Sequence, residues 1–321
     1  MPSGNKSLKI WLTGSSGFIG SYLAPALQKI SANLICFSHA PDKSGSVDPS
    51  GRRFIDFSSR EDVLRSVREL GMPDVFIHLG WGAMVDPGAD EHLTLNVLCA
   101  KNLIDSLYNV GLKRIVFIGS ANEYGARSGI LAEDMAPEGR MTNYARAKYE
   151  VTLYGLEKAR MSGRSFVCVR PFYVFGAGQR SGSLINKLYR CYLAGQNADL
   201  GPCEHFRDYV HVSEVAAGIA RLAQIDAATI VNIGSGNVIK LKDFVNLCWR
   251  LLGGKPERLI FGANPMRAGE PEQPYAYASL AHLKELTGWT PALTTEQGLR
   301  LTIEGLEARR KTYFSDVVCP R

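Results

Sequence analysis

The chain contains no Cys-x-x-Cys pair, no internal repeat, no low-complexity tract and no apolar run long enough to cross a bilayer. Its seven cysteines, at positions 36, 99, 168, 191, 203, 248 and 319, are scattered and mostly lie in apolar stretches. That scatter reads as reduced thiols in a cytoplasmic protein rather than a disulfide framework. A secretory leader is not expected either, because the apolar stretch from Leu8 to Leu12 is short and runs straight into a glycine turn. Strong charge of one sign is missing: the formal net charge is +6 and the basic residues are dispersed. The densest clusters, Arg309-Arg310-Lys311 and Arg52-Arg53, read as solvated surface, so neither nucleic acid nor a membrane is expected as a partner. No metal is expected: Cys203, His205 and His211 lie close in sequence, but no fourth ligand has suitable spacing. What remains is an ordinary globular composition of 321 residues, 45% hydrophobic and 21% charged, long enough for one large α/β domain and a smaller companion.

Apolar strand-like runs at 8–13, 33–37, 54–57, 75–79, 114–119 and 166–170 alternate with amphipathic patterns near 18–30, 60–70, 90–110 and 142–162. Strands apolar along their whole length imply a doubly wound parallel sheet covered by helices on both faces. Ligands bind such sheets beyond the carboxyl ends of the strands, where the strand order reverses. After residue 171 the pattern loosens into short strands near 198–200 and 230–233 and helices near 181–194, 213–224, 241–252 and 294–311. The expected organisation is therefore a Rossmann-type domain over 1–171 and a smaller, discontinuous α/β substrate lobe over 172–314, some of it returning to the first domain. A loose tail is expected over 315–321.

The densest local signal is Lys9-Ile-Trp-Leu-Thr-Gly-Ser-Ser-Gly-Phe-Ile-Gly20. An apolar strand ends in Gly14, Gly17 and Gly20, and an apolar helix (Phe18, Ile19, Tyr22, Leu23, Leu27, Ile30) begins inside the glycine run. Strand, turn and helix N-terminus in that order make a cradle for a dinucleotide pyrophosphate. Gly14 permits the tight turn, Gly17 lets backbone approach phosphate, and Gly20 lets the helix close on the strand.

Two further segments belong with it. Arg114-Ile-Val-Phe-Ile-Gly-Ser120 delivers a serine to the carboxyl end of a strand, and Tyr144-Ala-Arg-Ala-Lys148 places a phenol and an ammonium on one face of a helix. A phenol with a pKa of about 10 is a poor base at neutral pH. A neighbouring ammonium favours phenolate, so Tyr144 is expected to exchange a proton with a substrate hydroxyl while hydride moves to or from a nicotinamide. Ser120 would orient the same oxygen and stabilise its developing charge.

Taken together the motifs resemble an extended short-chain dehydrogenase/reductase of the nucleotide-sugar epimerase/dehydratase family, over almost the whole chain. They comprise Thr13-Gly-Ser-Ser-Gly-Phe-Ile-Gly20, Ile77-His-Leu79, Asn96, Ser120 followed by Tyr124-Gly125, and Tyr144 with Lys148. Further on come Arg170-Pro171 with Phe175-Gly176, Arg207-Asp-Tyr-Val-His211, Asn232-Ile-Gly234, and Arg267 before Gly269-Glu270. The resemblance implies that Gly14, Gly17, Phe18, Ile19 and Gly20 hold the pyrophosphate, and that Asp56 and Phe57 lie at the adenine end. It implies that Leu79, Gly80 and Asn96 belong to the cofactor path and that Lys148 also bonds the nicotinamide ribose. On the substrate side it implies a nucleoside diphosphate sugar bracketed by Arg207 and Arg267. Trp81 and Asn122 are sugar-contact candidates, and Trp81 and Met84 follow His78, which reads as a core histidine. Similar proteins also imply a homodimer built on the helices at 90–110 and 142–162.

Three positions depart from the family pattern. The second strand ends at Ser38-His39, followed by Lys43, with no acidic residue to grip the adenosine ribose; this favours NADP(H) as cofactor, with NAD(H) the alternative. Ala121 and Asn122 after Ser120 cannot supply the acid groups of a 4,6-dehydratase, and the carboxyl of Glu123 is shifted out of place. Tyr173 stands where many relatives carry an asparagine that bonds the substrate diphosphate. The reading is an oxidoreductase acting at hexose C4, a 4-keto-6-deoxyhexose reductase using NADPH. The alternative is a nucleotide-sugar 4-epimerase that retains NAD. A non-catalytic NAD(P)-sensing protein is the distant rival, and the intact Ser120, Tyr144 and Lys148 set speaks against it.

Overall fold

The computed structural model of the protein describes residues 8–31, 33–39, 51–265 and 275–318. Seven parallel strands make the central sheet: β1 (Lys9–Thr13), β2 (Asn33–His39), β3 (Arg53–Ile55), β4 (Val75–His78), β5 (Arg114–Ile118), β6 (Ser165–Pro171) and β7 (Ala228–Ile233). Their spatial order is β3-β2-β1-β4-β5-β6-β7, so the winding reverses between β1 and β4, where Thr13 lies opposite His78. The main helices are α1 (Gly20–Gln28), α2 (Arg60–Leu70), α3 (Leu95–Asn109), α4 (Asn143–Ser162), α5 (Leu184–Leu193), α6 (Val212–Leu222), α7 (Leu241–Leu252), α8 (Ala281–Thr287) and α9 (Thr295–Val318).

Strand β1 shows why these strands are apolar throughout. Ile10 and Leu12 join one core with Leu23 and Leu27 of α1 and Val215 and Ile219 of α6. Trp11, between them, points into the other core with Val63 of α2, Leu103 and Leu107 of α3 and Val151 of α4. Side chains alternate, and both faces are buried.

Helix α4 carries Tyr144 and Lys148, and local chemistry fixes where it starts, ends and lies. The Thr142 side chain accepts the Ala145 N–H at 3.2 Å, capping the first turn. Gly163, in the left-handed region, terminates the helix. A Cβ at Gly155 would overlap the Phe166 ring, so the glycine lets α4 lie directly on β6.

Strand β7 joins the main sheet after a long excursion. The segments before and after it build a further core from Phe175, Leu188, Phe244, Trp249, Leu299 and Ile303, contributed largely by α5, α7 and α9. Short strand pairs stitch it together, among them 173–175 with 209–211 and 206–207 with 239–240. Helix α9 runs through residues 315–318, which the sequence reading gives to a loose tail. The physical reason is that Pro320 is the first helix breaker after Gly305. The six described cysteines are free thiols, and no described helix is long and apolar enough to cross a membrane.

Candidate active site

The glycine turn brings three backbone segments together. Gly14 has φ +75°, and a Cβ there would stand 2.7 Å from the Gly80 nitrogen. A Cβ at Gly20 would overlap the Gly14 carbonyl oxygen. Ile19 offers no side-chain cap to α1, and the first turn holds no acidic residue. The helix dipole, met by no acidic side chain, therefore favours an anionic ligand, and the cradle fits a dinucleotide pyrophosphate. Thr13 locks the other wall. Its hydroxyl accepts the Leu79 N–H at 3.1 Å and the Gly80 N–H at 2.9 Å, so its proton goes to His78 Nδ1 at 3.0 Å. Burial first, and then the Lys148 charge, push the His78 pKa down to about 3, which keeps that ring a neutral acceptor.

At the far end of β2, the His39 ring stacks on Phe57 at 5.9 Å between centroids, and the Phe57 N–H reaches His39 Nδ1 at 3.5 Å. Ser38 precedes it, half-buried. Burial opposes the Asp56 charge, but bonds from Ser58 (2.9 Å from its N–H, 2.7 Å from its hydroxyl) and the nearby His39 hold the carboxyl below the usual range. Lys43 and Arg267 lie outside the described residues. Asn96 grips the loop after β4: its Oδ1 accepts the Gly82 N–H at 3.1 Å and its Nδ2 donates to the Gly82 carbonyl at 3.2 Å.

Ser120 follows β5 and opens a short 3-10 turn. Its Oγ accepts the Asn122 N–H at 3.1 Å, and its own N–H donates to Glu123 Oε1 at 2.8 Å. Glu123 is fully buried and takes Arg170 Nε at 3.0 Å and the Thr152 hydroxyl at 3.0 Å on its other oxygen. The Arg170 guanidinium lies 4.5 Å from the Tyr124 ring, and the Tyr124 hydroxyl donates to Asn232 at 2.8 Å. Glu123 thus points inward and holds the Ser120 turn. The Ser-x-x-Glu capping box was its signal in the sequence; the arginine partner, 47 residues away, had none.

Tyr144 and Lys148 share the expected face of α4. The Tyr144 hydroxyl lies near that of Ser120. Burial pushes its pKa up to about 12, against the lowering effect of the Ser120 hydroxyl. Lys148 Nζ donates to the Ile118 carbonyl at 2.7 Å and sits 3.7 Å from the Trp81 ring centroid and 4.8 Å from that of Phe117. Burial pulls its pKa down to about 7, with Glu123 opposing. The expected acidification of Tyr144 by Lys148 is therefore outweighed by desolvation of both groups.

Beyond Ser120 opens a cavity of about 300 Å³, walled by Ala121, Asn122, Phe172, Tyr173, Phe175 and Tyr209 among others, with no charged side chain among its described lining residues. Tyr173 and Asn122 thus face the same space as Ser120. Arg207 stands behind the wall, its guanidinium 5.1 Å from the Tyr173 ring. Trp81 does not line the cavity; it lies against Lys148, and Met84 is exposed. His92, which sequence reasoning passed over, is buried beside Tyr144 with ring centroids 5.3 Å apart. Its signal was a position four residues before Asn96, on the same side of a helical turn.

Known proteins share this fold. GDP-6-deoxy-D-mannose reductase of Pseudomonas aeruginosa is 26% identical over 321 residues, covering 94% of this chain and 98% of that protein. The solved structure of RMD from Pseudomonas aeruginosa, complexed with NADPH, matches with a TM-score of 0.76 at 24% identity, over 94% of this chain and 100% of that one. UDP-glucose 4-epimerase of Thermotoga maritima, solved with UDP-glucose, matches with a TM-score of 0.79 at 23% identity, over 95% of this chain and 100% of that one. Residues 10–234, from the first buried strand to the end of β7, match the family described as NAD dependent epimerase/dehydratase. The chain belongs to that NAD dependent epimerase/dehydratase family.

Proposed function

We propose that the protein is a nucleotide-sugar oxidoreductase acting at hexose C4, and specifically a reductase of 4-keto-6-deoxyhexoses carried on a nucleoside diphosphate. The observation that carries the reading is a protonated Tyr144 beside Ser120, which opens onto a cavity with no charged side chain among its described lining residues. A carbonyl oxygen placed between the two hydroxyls can accept hydrogen bonds from both. A bound NADPH supplies the hydride. As charge grows on the oxygen, Ser120 stabilises it and Tyr144 passes on its proton. The phenolate left behind is offset by the Lys148 ammonium. Phe172 and Phe175 give the pocket an apolar character suited to a deoxygenated C6 methyl group, and the uncharged lining suits a neutral sugar rather than a uronate. Glu123, sequestered by Arg170, leaves no carboxyl acid after Ser120 for dehydration.

Ser38 and His39 in place of a carboxylate support NADP(H), as does the likeness to a structure complexed with NADPH. The likeness to UDP-glucose 4-epimerase supports a second reading, a 4-epimerase retaining NAD. A homodimer through α3 and α4 is supported by Leu95, Leu98, Leu153 and Met161, all exposed on those helices. The test is to incubate the purified protein with NADPH and 4-keto-6-deoxyhexose nucleotides, and separately with UDP-glucose. Stoichiometric NADPH oxidation is expected; interconversion of UDP-glucose and UDP-galactose with no net NADPH oxidation would replace the reductase with the epimerase.

A further inference from the structure

Trp81 is held more firmly than a cavity residue needs to be, and it is held against Lys148. Its Nε1–H donates to His92 Nδ1 at 3.0 Å. Since indole nitrogen only donates, that ring nitrogen is the acceptor, and His92 Nε2 carries the proton to the Asp86 carbonyl at 2.9 Å. Asn96 Nδ2 also approaches His92 Nδ1, at 3.3 Å, while gripping both polar groups of Gly82. Ala83, the next residue, has φ +55°, a left-handed conformation that alanine adopts only under constraint. The same loop meets the start of α4, where the Tyr144 N–H donates to the Pro87 carbonyl at 2.9 Å and Asn143 donates to the Gly88 carbonyl at 2.8 Å.

Lys148 needs what this loop presents. Its ammonium is buried, and the Ile118 carbonyl is one acceptor for three N–H groups. The face of an aromatic ring is the surface that accepts a desolvated cation without itself being ionised. We propose that Trp81 is a positioning residue for the catalytic lysine: its indole face clamps the Lys148 ammonium against the end of β5, and its N–H, anchored on His92, sets that clamp relative to Tyr144. The clamp favours the charged form of Lys148, which is the form that offsets a Tyr144 phenolate. This rests on the placement of Lys148 in the catalytic centre.

The groups facing Lys148 from other elements are His78 on β4, Glu123 after β5, Cys168 on β6 and Tyr144 on its own helix. His78 is neutral, Cys168 is pushed by burial well above its ordinary range, and Glu123 is tied to Arg170. Tyr144 stays protonated while Lys148 titrates near 7. Loss of the Lys148 proton is thus the charge change that the clamp opposes, and it forms the alkaline limb of activity.

The experiment follows Lys148 directly, by NMR of protein labelled with ¹³C at the lysine ε-carbon, in the wild type and in Trp81→Leu, Trp81→Phe and His92→Leu. Lys148→Met identifies the signal. Trp81→Leu is expected to lower the Lys148 pKa by about one unit and to move the alkaline limb of kcat/KM to lower pH by as much. Trp81→Phe, which keeps a ring, is expected to give less than half that shift, and His92→Leu a smaller shift in the same direction. If Trp81→Leu does not fold, Trp81→Phe and His92→Leu decide. Folded variants whose Lys148 titrates where the wild type does would overturn the proposal. A shifted Lys148 in a protein that turns over no sugar nucleotide would leave the clamp standing and remove the reductase reading.

Discussion

On the sheet side of the site, Ser120 and Tyr144 are held by backbone hydrogen bonds and Lys148 by its ammonium, at the ends of buried elements. On the lobe side, the cavity is walled by the rings of Phe172, Tyr173, Phe175 and Tyr209 on short strands and their flanks. The first region can place a proton and a charge to within a fraction of an ångström, because moving any one group breaks a buried bond. The second can be reshaped by exchanging one ring for another without exposing a charge. The difference separates what the site does from what it does it to. In the proposed function, reaction chemistry belongs to the sheet and substrate choice to the lobe.

Breaking the sheet side should have the largest effect. Tyr144→Phe keeps the ring and its packing but removes the proton, so kcat should fall by about 10²–10⁴-fold with KM within a few-fold. Steady-state kinetics beside an unchanged thermal melt would check it; undiminished turnover would remove Tyr144 from the centre. Next in size is the support under Ser120. Glu123→Leu strands the buried Arg170 charge and should cost about 3–5 kcal/mol in urea unfolding. The paired Glu123→Leu/Arg170→Leu protein should be more stable than Glu123→Leu alone, because no charge is left unpaired.

Lys148 gives a pH test of the same region. Its pKa is about 7 folded and about 10.4 in an unfolded chain. Between those values the unfolded state holds a proton that the folded state lacks, so stability should rise with pH across that window and be lower below it. Unfolding free energies from urea titrations at pH 7 and pH 9.5 should differ in that sense by about 3 kcal/mol, and Lys148→Met should lose the difference. The smallest effect belongs to the lobe. Tyr173→Ala should raise KM about tenfold, or 1.4 kcal/mol, with kcat changed by less than about threefold. A collapse of kcat instead would mean that the lobe takes part in the chemistry and that the comparison is wrong.

The sequence was legible where geometry is local. Gly14, Gly17 and Gly20 lie on one strand–helix junction, and Tyr144 and Lys148 are one helical turn apart, so spacing alone placed them. Six apolar strands and their flanking helices were equally readable, because periodicity carries that information, whereas the seventh, β7, reads only as a short strand among those of the lobe. Contacts that need folding were not readable. The place of Trp81 against Lys148 shows only once the loop after β4 folds against α4, and the ion pair of Glu123 only once β6 brings Arg170 beside it. Strands of two or three residues, such as 206–207 and 173–175, are too short to show a period. The α9 helix outlasted its expected end for the opposite reason: nothing in the sequence before Pro320 stops it.

The most direct test of the division between sheet and lobe follows a labelled hydrogen. Purified protein would be given a 4-keto-6-deoxyhexose nucleotide and NADPH carrying deuterium at the transferable position of the nicotinamide, and the product examined by NMR. Deuterium bound to sugar C4, in an amount equal to the NADPH consumed and abolished in Tyr144→Phe, is the predicted result. Product with no deuterium at C4, or undiminished labelling in Tyr144→Phe, would contradict the account.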